Sequence, residues 1–409
     1  MTVTSRYQPP STTDPLDQLA GLVAAATQLA EGPTGVVELL ATIRRREPVA
    51  IRDLSRLVEI PVPVVAAVCN ELRRRGLVAP ARPVRLTELG RSCLAPAAGP
   101  GSWPAPDRCD RCDGHGTRAP ARAADALPEL AALGASAPPA AVTLDQAHCT
   151  AETALRRVLF LAEHGLLHQR LLFLGDDDLT SLAVALLAHR TGAASRRLSV
   201  VDVDPRVLDY LGRHAPIGGP TLELIHHDLV DPLPAGLTGA FDVVVTDPPY
   251  TTPGAELFLS RAVAALAPGG GRHVLLAFGA RPPDETVRLQ RLFAELGLAL
   301  RSMAPNFNEY HGAGSLAGTS HLYHLRTTAG SRPSIVGRHQ GPLYTAQTGS
   351  RRPRWYRCLG CRARLTVGPD QTWPVVADLR QAGCPHCGAH RFRPLPRQQE
   401  VVGDGAAGQ

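Results

Sequence analysis

Between Arg170 and Phe278 five short apolar runs are interleaved with helical stretches, and the first four runs each end at or beside aspartate. Strands are expected at Arg170–Leu174, Arg197–Val203, Leu222–His226, Phe241–Thr246 and His273–Phe278, and helices at Ala151–His164, Leu179–His189, Ala255–Leu266 and Pro283–Leu296. Strands separated in this way cannot close as hairpins; they pair in parallel, with crossover helices covering the sheet. In such an α/β sheet a ligand binds beyond the carboxyl ends of the strands. The acids sit there: Gly175-Asp176-Asp177-Asp178, then Asp202 and Asp204, then Asp228, then Asp247-Pro248-Pro249-Tyr250. One strand-end aspartate often only caps the next helix. Four strand ends in register predict a common crevice.

The charge distribution sharpens this expectation. From Leu171 to Tyr250 eleven Asp or Glu stand against five Arg, although the whole chain carries a net charge of +6 and has a pI near 9.0. A basic chain ordinarily raises nucleic acid as a partner, but lysine is absent and Ala, Gly and Pro abound, so the bias is compositional. The 409 residues allow two or three domains. Met1–Pro15 has no apolar signal core and the richest apolar stretch, Leu182–Ala188, cannot span a bilayer, so a cytoplasmic protein with no membrane partner is expected.

Outside the sheet domain, assigned to residues 143–330, two smaller modules are expected. Residues 16–95 contain helical stretches at Val36–Arg46, Ile51–Val58 and Pro61–Arg75, followed by a hairpin from Leu77–Ala79 and Val84–Thr87. That is the order of a winged helix. The last helix is mostly Val and Ala with arginines only at its end, which favours docking or dimerisation over DNA contact, and a homodimer is expected. Residues 96–142 read as a linker carrying Cys109 and Cys112, a further metal pair that His115, His148, Cys149 or a second subunit's pair could complete. After a second linker, residues 331–354, the stretch 355–395 holds Cys358/Cys361 and Cys384/Cys387, twenty-two residues apart. Two such knuckles predict a zinc ribbon, structural because four protein thiolates leave no open coordination position.

The strand-and-acid order resembles the Rossmann-like folds that bind S-adenosylmethionine, the methyltransferase type. By that resemblance Asp202, with Asp204 second, holds the ribose, Asp228 lies near the adenine amino group, and Gly175, Pro248, Pro249 and Tyr250 line the nucleotide site. The first turn departs from that class, because three carboxylates replace its glycine-rich loop. They repel an α-carboxylate and attract a sulfonium, an ammonium and a polyamine. Asp176, Asp177, Asp178 and Asp247 are therefore the candidate catalytic carboxylates, able to orient an attacking amine, take its proton and balance charge developing on nitrogen.

Leu174-Gly-Asp-Asp-Asp-Leu-Thr-Ser181, Val201-Asp-Val-Asp204, Thr246-Asp-Pro-Pro249 and Asn306-Phe-Asn-Glu-Tyr310 together resemble the branched-chain polyamine synthases, the N(4)-bis(aminopropyl)spermidine synthases. The resemblance covers roughly Val36 to Leu325. It implies aminopropyl transfer from decarboxylated S-adenosylmethionine to spermidine, with nucleic acid not required, Asp177 as the catalytic carboxylate, and Asn308, Glu309 and Tyr310 closing over the amine site. Asp247-Pro-Pro-Tyr250 also suits a rival class, amino-group methyltransferases acting on nucleic acid, in which the aromatic ring stacks on a flipped base. The triple-aspartate turn, which repels phosphate, opposes that reading.

Overall fold

The computed structural model describes residues 15–94, 119–193, 195–311, 318–348, 354–368, 371–373 and 376–395. Cys109 and Cys112 lie outside the described residues. Two compact units result: Met1–Ala141, Gln146–Pro248 and Ala255–His339 form the first, and Val142–Asp145, Pro249–Gly254 and Gln340–Gln409 the second.

The first unit begins with α1 (Pro15–Thr27), α2 (Gly32–Arg46), α3 (Ile51–Val58), α4 (Val62–Arg74) and α5 (Glu88–Cys93). The sequence reading found three helices here and missed α1. Its Leu16, Ala20, Val23 and Ala24 recur at helical spacing and are buried in the same core as Leu39, Ile43, Val68 and Leu72. The expected hairpin appears as an antiparallel bridge between Val78 and Leu86, and Val49 bridges to Val84 beside it.

The linker reading of residues 96–142 requires correction where the chain is described. Helices α6 (Ala121–Ala124) and α7 (Leu127–Ser136) form there, and Ala126 and Leu130 enter the main core. Alanine is the best helix former, so an Ala-rich stretch packs as readily as it links.

The sheet carries β1 (Arg170–Leu174), β2 (Arg197–Asp202), β3 (Leu222–His226), β4 (Val243–Thr246), β5 (His273–Phe278), β6 (Leu298–Glu309) and β7 (Thr319–Thr327) in the order β3-β2-β1-β4-β5-β7-β6. The first five are parallel, while β7 runs antiparallel between β5 and β6. Its helices are α8 (Ala151–Glu163), α9 (Thr180–Thr191), α10 (Pro205–His214), α11 (Thr252–Ala265) and α12 (Pro283–Glu295). The β6–β7 pair was not anticipated: as the edge strand, β6 is largely exposed through its first half and lacks an apolar run. Part of the second expected linker is also docked. The buried Arg261 donates to the carbonyls of Leu229, Val230, Ile335 and Gly337, which fixes the segment after β7.

In the second unit, α13 (Thr345–Thr348) precedes β8 (Arg354–Cys358), β9 (Arg364–Val367), α14 (Val376–Ala382) and β10 (Phe392–Pro394). The three strands form an antiparallel sheet ordered β10-β8-β9. Among the described residues no helix is long and apolar enough to cross a membrane.

Candidate active site

The first turn is built by the backbone before any ligand is considered. Gly175 takes φ +71°, a left-handed conformation that favours glycine, and its N–H bonds the Val201 carbonyl at 2.9 Å. The next amide, of Asp176, donates to Asp202 Oδ2 at 2.9 Å. The Asp176 carboxylate turns back onto the start of α9, accepting from the amides of Thr180 (2.9 Å) and Ser181 (3.1 Å). It thus occupies the positive end of that helix. Burial nevertheless pushes its pKa up to about 8.

The three consecutive aspartates part ways at this turn. Asp178, 6% exposed, accepts from the Cys149 amide and from Arg157 Nη1, both at 2.6 Å. Asp177 is less enclosed. One carboxylate oxygen accepts from the Ala147 amide at 3.1 Å, and its backbone carbonyl lies 2.7 Å from His148 Nδ1. Burial, reinforced by the negative charges of Asp178, Asp247 and Asp202, raises its pKa well above the carboxylate range. Asp247, at the end of β4, accepts from Arg157 Nη2 (2.8 Å) and from the Tyr310 hydroxyl (2.6 Å), both through Oδ2. Burial, then Asp178, push it up to about 7.

Arg157 was missed by the sequence reading, yet it organises these acids. It lies on the buried face of α8 with Thr153, Ala154, Val158 and Leu161, at helical spacing. Its fork reaches Asp178, Thr180, Asp247, Asn308 Oδ1 and the Tyr310 hydroxyl, all within 3.3 Å. Burial alone would lower its pKa, but Asp178, Tyr310, Cys149 and Asp247 together hold it well above the ordinary value. A planar guanidinium can bridge several acceptors at fixed angles; a point-charge ammonium cannot.

Asn308 and Tyr310 join this network from the end of β6. Asn308 Nδ2 donates to Ser320 Oγ at 2.9 Å, and the Tyr310 hydroxyl lies 2.8 Å from the same oxygen. Glu309 does not point with them, contrary to the expectation that it closes over the amine site. Side chains alternate along a strand, so its carboxylate faces the other way and pairs with Arg56 of α3 at 3.0 Å.

Both Asp202 oxygens are oriented by backbone amides, those of Asp176 and Asp204, and burial raises its pKa. Asp204 caps α10 and is gripped by Arg206, which lowers its pKa, and by Gln146. Asp228 is exposed after β3 and accepts from the Val230 amide at 3.0 Å. Pro248 is buried beside Asp247 in the sequence. Pro249 and Tyr250 group with the second unit, where the Thr251 amide donates to the Pro249 carbonyl and Thr251 Oγ1 to that of Leu343.

In that unit the sulfurs of Cys358, Cys361, Cys384 and Cys387 all lie within 4.8 Å of one another, with two pairs at 3.6 Å. Four thiolates around a tetrahedral zinc, with Zn–S about 2.3 Å, stand about 3.8 Å apart. The donor set fits zinc, which would supply folding energy there and no chemistry.

Fold and site together define an α/β protein with a mostly parallel sheet whose ligand edge is lined by partly neutralised carboxylates. Residues 125–329 match the model of the branched-chain polyamine synthase A C-terminal domain. An uncharacterized protein of Methanocaldococcus jannaschii is 32% identical over 92% of this chain and 92% of its own length. The N(4)-bis(aminopropyl)spermidine synthase of Thermus thermophilus is 33% identical over 73% of this chain and 83% of its own. The solved branched-chain polyamine synthase from Thermus thermophilus, in complex with N4-aminopropylspermidine and 5′-methylthioadenosine, superposes with a TM-score of 0.64 at 28% identity, covering 80% of this chain and 96% of that one. The chain belongs to the branched-chain polyamine synthase family.

Proposed function

We propose that this protein transfers aminopropyl groups from decarboxylated S-adenosylmethionine to the secondary or tertiary amine of spermidine, giving branched polyamines such as N(4)-bis(aminopropyl)spermidine. The observation that carries the reading is the division of labour among the aspartates. Asp178 is consumed by its ion pair with Arg157, whereas Asp177 and Asp247 keep partial exposure, 15% and 13% of their side chains. Two carboxylates with raised pKa values at a strand-end crevice suit a polycationic substrate and a proton that must leave near neutral pH.

The amine lone pair attacks the propyl carbon bonded to the sulfonium; the carbon–sulfur bond breaks, its electron pair stays on sulfur, and neutral 5′-methylthioadenosine departs. With a secondary amine, Asp177 orients the nucleophile and receives the proton. With a tertiary amine no proton is released, and Asp177 and Asp247 balance the permanent charge of the quaternary product. Asp202 holds the ribose, already aimed by two amides, while Asn308 and Tyr310 fix the wall on which Asp247 rests. Asp176 shapes the turn. Asp204 and Asp228 complete the nucleotide edge, with Gly175 and Pro248.

In the same reading residues 16–95 are a winged-helix docking module, supported by the Val78–Leu86 bridge after α4 and by the bridge from Val49, just before α3, to Val84. The cysteine-bearing tail is a zinc ribbon. The enzyme works as a cytoplasmic homodimer and needs no nucleic acid for turnover. Incubating the purified protein with decarboxylated S-adenosylmethionine and spermidine should yield methylthioadenosine and a branched polyamine by mass spectrometry. Methyl transfer from S-adenosylmethionine to an oligonucleotide, with no aminopropyl product, would replace this reading with the methyltransferase one.

A further inference from the structure

The ribbon sheet has two unlike faces. Tyr356, Cys358, Leu365, Val367 and Phe392 point inward and are at most 8% exposed. Alternation then sends Trp355, Arg357, Arg364, Thr366 and Arg393 outward. The registers pair Arg357 with Arg364 on β9 and with Arg393 on β10, so three exposed arginines form one row across all three strands. Like charges directly opposite one another weaken a sheet. None of the three has a carboxylate partner among the described residues. Beside the row Trp355 is 45% exposed, with the Arg364 guanidinium 5.3 Å from its ring centre.

We propose that this outer face of the ribbon binds single-stranded nucleic acid, the arginine row tracking the phosphates while a base stacks on Trp355. An uncompensated cationic row calls for a polyanion, and an exposed indole at its edge selects one with flat unpaired groups. A duplex hides its base faces and offers Trp355 nothing. An acidic peptide would satisfy the arginines but leave the indole in water. The surface belongs to the second unit and the carboxylates to the first, so its role is to localise the protein and not to take part in transfer to a free amine.

The test uses the zinc-loaded full chain and fluorescence anisotropy with labelled single strands of about twenty nucleotides, one RNA and one DNA, and a duplex of the same sequence. At least one single strand should bind more tightly than the duplex, and comparing the two identifies the sugar preferred. Raising salt from about 50 to 200 mM should weaken binding roughly twentyfold, as expected for three phosphate contacts at about 0.7 counterions each. Trp355→Ala should cost about tenfold. The triple change Arg357→Gln, Arg364→Gln, Arg393→Gln should remove most of the salt dependence, with zinc content and spermidine turnover unchanged. Absence of binding to either strand, equal affinity for the duplex, or indifference to Trp355→Ala would overturn the proposal.

Discussion

Arg157 and Asp178 form an ion pair at 2.6 Å in which neither side chain is more than 4% exposed. Removing one member of so buried a pair strands the other charge, which costs about 3–5 kcal/mol. Arg157→Ala should therefore lower stability by that order in chemical denaturation. Arg157→Lys keeps a charge but cannot span Asp178, Asp247 and Asn308 together, so it should lose turnover more than stability. An Arg157→Ala protein as stable as its parent would contradict the clamp described for it.

The carboxylates should separate by kinetics. Asp177→Asn preserves shape but removes the proposed proton acceptor, and single-turnover aminopropyl transfer should slow by about a hundredfold or more with little change in donor affinity. Asp202→Asn should chiefly weaken donor binding, since the ribose contact proposed for it would persist from ground state to transition state. Near-normal turnover by Asp177→Asn, measured by rapid quench, would remove its assigned role.

Stability should fall with rising pH in the ligand-free protein. Asp247 and Asp176 have folded-state pKa values of about 7 and about 8, raised by burial, against about 4 in an unfolded chain. The folded state then binds protons that the unfolded state has released. The resulting stabilisation is fully present below pH ~4 and is lost as pH rises through 7 to 8. Melting temperatures between pH 5 and about 8.5 should decline, and Asp247→Asn should flatten the slope. Donor affinity should move the opposite way, because ionised carboxylates attract the sulfonium.

Chelation should act on the tail alone. Removing zinc from Cys358, Cys361, Cys384 and Cys387 should unfold β8, β9 and β10, visible as a change in fluorescence at Trp355 and Trp373, while spermidine turnover persists. Loss of turnover in step with zinc would show that the tail supports the catalytic unit.

The parallel part of the fold was legible because buried strands write themselves as apolar runs: β1, β3 and β5 begin and end where the residues predicted. The acids at their ends were equally plain. Arg157 was not, since one arginine among forty-three cationic residues declares its burial only through partners as far away as Tyr310. Sequence also could not rank Asp176, Asp177 and Asp178. They are adjacent and chemically identical, and only the amides, Arg157 and Ala147 that each one meets tell them apart. Glu309 sits between Asn308 and Tyr310 in the sequence, but strand geometry turns its carboxylate away from their side chains and toward Arg56.

The late position of β6 and β7 in the chain has a consequence for biosynthesis. Arg157 precedes the acidic turn in the chain, so on the ribosome the countercharge emerges before the carboxylates that need it. Asn308, Tyr310 and Ser320, which complete the enclosure, arrive some hundred and fifty residues later, on the last two strands of the sheet. A nascent chain ending before β6 already carries the Arg157 countercharge for Asp178, but it lacks the Tyr310 hydroxyl that meets Asp247. The acidic edge is thus enclosed only when synthesis has passed β7, so the polar surroundings of Asp247 depend on the last strands of the sheet to be made.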